Sequence, residues 1–144
     1  MAWTTTKGWI AGDALTATLF KQQFSANLDY LKVALLRGLG AFTLTDGATV
    51  ALDASLGSKF RLVALGSRTL LAPTNAQDAQ KIIIEHYASG GARTLTLTTG
   101  AGGFRFGTDV TGITQTASGK TDYIGAVYNA ADSRWDVVAV VKGY

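Results

Sequence analysis

The residues able to do chemistry are few, and they are scattered. The chain has a single histidine, His86, inside the apolar run Ile82-Ile83-Ile84-Glu85-His86-Tyr87, and no cysteine. A transition-metal site needs several converging imidazoles, thiolates or carboxylates. One His and no Cys leave no such set, and no disulfide framework or Cys nucleophile either. A Ser-His-Asp triad can be assembled from residues far apart in sequence, yet no serine stands in a Gly-x-Ser-x-Gly elbow. His86 is therefore expected to be a half-buried structural residue. Paired carboxylates could hydrolyse glycosides. The nine aspartates fall mostly at turns or strand ends, where Asp satisfies backbone N–H groups. Glu85, in the middle of its run, is the one acid positioned to face an interface. The expectation is a non-enzymatic protein with no catalytic residue, no metal and no cofactor.

Two further segments resemble ligand motifs only superficially. Gly100-Ala101-Gly102-Gly103 lacks the Lys-Ser/Thr and the following helix that a phosphate cradle requires, so a turn or bulge is expected. Phe104-Arg105-Phe106 places an arginine between two aromatics, as single-strand binders do. Strand alternation equally buries both Phe and leaves Arg105 outside. The formal net charge is +3, with four Lys/Arg against two acids in residues 1–38 and nine against eight in residues 39–144. Nucleic-acid binders concentrate their basic charge, so this even spread argues against that partner. Hydrophobic residues make up 47% of the chain and charged residues 16%. Such a composition folds, but its sparsely charged surface favours subunit contacts.

The elements that must position these residues fall into an N-terminal region, residues 1–38, and a β domain, residues 39–144. Residues 1–14 form an arm carrying Trp3 and Trp9. The arm either folds back on its own domain or docks on a neighbouring subunit. A helix is predicted over residues 16–37. Thr16 is the N-cap, and Leu15 and Phe20 stand at the two ends of a hydrophobic staple. Phe20, Phe24, Leu28, Leu31 and Leu35 follow spacings of 4, 4, 3 and 4, one apolar stripe on a helix. That stripe packs on the β domain or forms the core of a short parallel bundle between identical chains. Trp3, Trp9, Leu15, Phe20, Phe24, Leu28, Leu31 and Leu35 are the candidate attachment and oligomerisation residues.

From Phe42 onward the apolar period drops to two. Strands are predicted at 41–45, 49–53, 59–64, 69–71, 81–87, 94–98, 104–106, 123–128 and 135–142, with turns between them. Asp46-Gly47 predicts a hairpin, and so do the last two strands around the polar loop 129–134. Arg68-Thr69-Leu70 and Arg93-Thr94-Leu95 echo each other and suggest two similar hairpin entries in facing sheets. Many short strands at even spacing predict a mainly β fold, an antiparallel β-sandwich or jelly-roll-like barrel preceded by the arm and one helix.

Several segments resemble the β domain of small virion structural proteins of tailed bacteriophages. They are Thr43 to Gly57, Phe60-Arg61-Leu62, Arg68-Thr69-Leu70 with Pro73-Thr74-Asn75, Arg93 to Leu97, Phe104 to Asp109, and the ending Trp135 to Tyr144. Trp3 to Thr6, Trp9 to Gly12, Leu15 to Ala17 and Asn27 to Lys32 are similar to the N-termini of such proteins. The resemblance covers nearly the whole chain and brings no catalytic residues with it. It implies a head decoration protein or a head or tail fibre, commonly a homotrimer, bound to a major capsid or tail protein. The alternative is a receptor- or carbohydrate-binding tip that meets a host surface glycan through Tyr87, Tyr123, Tyr128 and Asn129. The opening residues lack an apolar signal region, and no apolar run is long enough to span a bilayer. The expected location is thus the virion, after synthesis in the host cytoplasm, with no insertion into a membrane.

Overall fold

Alternation of apolar and polar residues places strands close to the predicted positions: β1 Ala41–Thr43, β2 Thr49–Val50, β3 Lys59–Ala64, β4 Arg68–Leu70, β5 Lys81–Ala88, β6 Leu95–Leu97, β7 Phe104–Phe106, β8 Thr121–Asn129 and β9 Arg134–Val141. The computed structural model describes residues 16–25, 27–29, 31–32 and 40–144. The chain divides into two compact units, Met1–Leu39 and Gly40–Tyr144.

The second unit is mainly β. Its strands form a six-stranded sheet in the order β1-β3-β5-β8-β9-β7 and a three-stranded sheet in the order β2-β4-β6. The mainly β class stands, but the sheet is mixed where antiparallel pairing was expected. β1, β3 and β5 are parallel, and so are β2, β4 and β6. Only β5–β8 and β8–β9 pair antiparallel, and β7 joins β9 in parallel. The chain therefore alternates between the sheets and returns each time beside its previous strand, winding three coils that the β8–β9 hairpin covers on one edge. Period-two alternation is the same for parallel and antiparallel strands, so connectivity alone made the difference.

Two local expectations change with it. Asp46-Gly47 does not close a hairpin, because β1 and β2 lie in different sheets. The Asp46 carboxylate instead accepts both Arg68 Nε–H and Nη2–H at 2.7 Å, a fork that ties the β1–β2 crossing to the start of β4. The two Arg-Thr-Leu tripeptides open adjacent strands of one sheet, not facing sheets. Their register is offset by two, with Arg68 opposite Leu95 and Thr69 opposite Thr96. The terminal hairpin forms as predicted, with a bulge between Gly125 and Ala126 that leaves Val138 unpaired.

Both sheets turn their apolar residues to one core. Phe60, Ile84 and Ile124 stand side by side across three strands and are fully buried. Val50, Leu70 and Leu95 meet them from the smaller sheet, and Phe104 and Trp135 close one side. Alternation holds at β7, where Phe104 is buried and Arg105 exposed. Arg105 reaches across to β9 and grips Asp136 with Nε–H at 2.7 Å and Nη2–H at 3.0 Å. Asp132 adds a second carboxylate at 2.9 Å.

Candidate functional site

The N-terminal unit starts its helix at Thr16, whose carbonyl accepts the Phe20 N–H at 2.9 Å, the bond expected of an N-cap residue. α1 spans Ala17–Phe20 and passes directly into a π turn, Lys21–Ser25. Residues 27–29 and 31–32 are helical again. The candidate residues within this stretch share one property. Phe20 is 50% exposed, Phe24 58%, Leu28 55% and Leu31 44%, whereas the polar Asn27 is buried. The normal distribution is reversed: these four apolar side chains face water and the Asn27 amide does not. The Phe20 and Phe24 rings stack with centroids 5.4 Å apart and planes within 4°. Trp3, Trp9, Leu15 and Leu35 lie outside the described residues.

In the β unit the chain builds a polar centre that spacing gave no reason to expect. His86 shares the inward parity of Ile82 and Ile84, and β5 is an interior strand of the large sheet, so the imidazole is fully buried where half-burial was expected. Its register partner on β8 is Asp122. Between them stands Thr116, from the segment that precedes β8. Thr116 Oγ1–H donates to Asp122 Oδ2 at 2.6 Å, and His86 Nδ1 lies 2.9 Å from the same hydroxyl oxygen. A hydroxyl has one proton. Because the carboxylate takes it, Nδ1 must carry the imidazole hydrogen and donate to Oγ1. Nε2 is then a bare acceptor, buried with no hydrogen-bond partner. Burial holds the His86 pKa below the usual histidine value, and the nearby Asp122 charge only partly opposes this.

Asp122 also fastens the C-terminus. Its Oδ1 accepts the Gly143 N–H at 2.9 Å, and Lys142 Nζ lies 3.5 Å from Oδ2 while donating to the carbonyls of Thr114 and Gln115. Thr116 is pinned by paired backbone bonds with Arg93. His, Thr and Asp thus meet, but not as a hydrolytic triad. There the base lies between the nucleophile and the acid; here the hydroxyl lies between base and acid and is itself buried. The sequence carried one usable hint of this centre: His86 and Asp122 occupy apolar runs at the parity of core residues.

Across the outer face of the large sheet, Glu85 is held between Lys59 Nζ at 3.0 Å and Arg61 Nε at 3.2 Å, and its side chain is only 11% exposed. Tyr123 lies under Lys59 and meets Tyr144 edge to face with centroids 5.5 Å apart. The four residues named for glycan contact do not converge. Tyr87 and Tyr123 lie on this face, but Tyr128 packs on Trp135 and Asn129 is tied to Asp132 at the hairpin loop. Among the described residues, no group of His, Cys, Asp and Glu is placed to hold a metal ion. None of the described helices is long and apolar enough to cross a membrane. No family model, curated protein or solved structure matches this chain.

Proposed function

We propose that this chain is a non-enzymatic structural protein of a tailed-phage virion, a trimeric capsid decoration or short fibre protein. Its N-terminal region joins copies and attaches them to a capsid or tail protein, and its β unit faces outward. The observation that carries this reading is the exposed stripe of Phe20, Phe24, Leu28 and Leu31. Fully burying one such side chain is worth roughly 1.5–3 kcal/mol, so an isolated chain forgoes a large part of that at each of the four positions. Another surface recovers it. The resemblance to small virion proteins supplies the setting. The buried order of His86, Thr116 and Asp122 favours a structural role over catalysis.

Sedimentation velocity at micromolar concentration tests the self-association: a species of three times the chain mass is expected, and a pure monomer would sink the reading. The double variant Phe24→Asp, Leu28→Glu should sediment as a monomer with its β unit still folded. Removal of residues 1–14 should abolish attachment to particles. If the shortened protein still decorates them, the arm is not the attachment element.

A second reading, a receptor-binding tip, draws on the Tyr123–Tyr144 pair beside Lys59. A glycan array without hits, together with unchanged phage adsorption in the presence of the protein, removes it.

A further inference from the structure

We propose that the exposed stripe is a parallel, in-register seam for further copies of this same helix, and that the π turn Lys21–Ser25 is the device that keeps Phe20 in phase with it. The inference rests on the self-association proposed above and names its partner and geometry. Phe24, Leu28, Leu31 and Leu35 are spaced 4, 3 and 4, the alternation of core positions in a heptad repeat. The same alternation places the preceding core residue three positions before Phe24, at Lys21. The apolar residue is one position further back, at Phe20. The N-terminal end of the stripe therefore contains one residue too many.

Two structures could accommodate the surplus. A continuous α-helix would spread it along the stripe as a 4-4-3 spacing, an 11-residue repeat that favours right-handed winding. A π turn closes its hydrogen bond one residue later than an α turn and absorbs the surplus in one place. The chain adopts the second solution, and the π turn begins at the residue after Phe20. Phe20 remains stacked on Phe24 and nearly as exposed. The left-handed heptad phase from Phe24 onward is preserved.

The spacing of the stripe identifies the occupant. On one flank of it Lys21, Ser25, Asp29 and Lys32 are polar and exposed, and on the other Asn27 is buried. The 4, 3, 4 alternation of apolar residues is the spacing of core positions between like helices. Parallel, in-register association stacks Phe on Phe at one end and Leu on Leu at the other. An antiparallel arrangement would set the Phe layers against smaller Leu layers and leave voids, which are costly in a packed seam.

The natural chain has no cysteine, so single cysteines report the geometry cleanly. On mild oxidation Leu31→Cys should form an interchain disulfide, because in-register pairing sets identical seam residues opposite each other. Asp29→Cys, two positions away and off the seam, should not. Equal linkage of both, or none from Leu31→Cys, overturns the in-register seam. Deleting Gln22 restores a 3, 4, 3, 4 spacing from Phe20. This variant should stay oligomeric in sedimentation, with the π turn gone from its backbone chemical shifts. If the natural chain is oligomeric and the deletion variant is a monomer, the phasing role of the π turn is wrong while self-association stands. If the natural chain is a monomer, both fall.

Discussion

At the scale of single residues, the His86–Thr116–Asp122 centre sets how this protein responds to acid. The buried imidazole is held neutral in the fold, while in the unfolded chain it takes a proton below about pH 6.5. Below that value the unfolded state binds more protons than the folded one. Stability therefore falls as pH drops from about 6.5 toward the depressed folded pKa, by at most about 1.4 kcal/mol per pH unit. Urea denaturation between pH 7.5 and 5 should show this slope, and His86→Met should flatten it whatever that substitution costs in stability. The Asp46 and Asp136 carboxyls, held low chiefly by hydrogen bonds from Arg68 and Arg105, act only in more acid solution, so the two effects separate. Asp122→Ala leaves the Thr116 hydroxyl and the Gly143 N–H without their acceptor. Hydrogen bonds to a charged group contribute about 1.5–3 kcal/mol each, so losing these two should cost about 3–6 kcal/mol. Faster amide exchange at Gly143 would mark release of the C-terminus, and unchanged exchange there would contradict the tie.

Among the elements, the interior strands of the large sheet, β3, β5, β8 and β9, carry much of the core. Ile84→Ala should cost about 2–5 kcal/mol, because its neighbours on both strands are fully buried. Val138→Ala, at the exposed bulge, should stay within about 0.5 kcal/mol. Equal losses at the two positions would mean that the core lies elsewhere. Gly103 has a distinct role at the turn before β7. An added Cβ would strike the Thr98 carbonyl oxygen, the acceptor for the Phe104 N–H. Gly103→Ala should therefore cost about 1–3 kcal/mol, read from the shift in denaturation midpoint.

At the scale of the whole molecule, the two units predict separable behaviour. Residues 40–144 contain a continuous core and one tryptophan, Trp135, which is fully buried. Expressed alone, they should fold cooperatively, sediment as a monomer, and show the blue-shifted emission of a buried indole. A fragment that unfolds, or that still oligomerises, would place the assembly contacts in the β unit. The coil architecture was hidden at this scale. Pairing carries Ala41 to Lys59 and Lys59 to Ile83, steps of 18 and 24 residues. In the smaller sheet Thr49 leads to Thr69 and Thr69 to Thr96, steps of 20 and 27. A solenoid is read from a fixed period, and these coils have none.

The sequence by itself determined where the strands lie, which residues of each face the core, and the apolar stripe with its cap, because alternation, helical spacing and turn chemistry are local. It also holds a single His and no Cys, too few nitrogen and sulfur ligands for a zinc-type cluster. Tertiary structure alone decided which strands pair and in which direction, because side-chain parity is blind to strand polarity. It decided that Asp46 would hold Arg68 instead of closing a hairpin. It decided that His86, Thr116 and Asp122, the first of them 30 residues before the second, would share one hydrogen-bonded centre, because that meeting depends on register between β5 and β8. The four-residue spacing from Phe20 to Phe24 was legible in the sequence; that the backbone there takes a π turn was decided only by the structure.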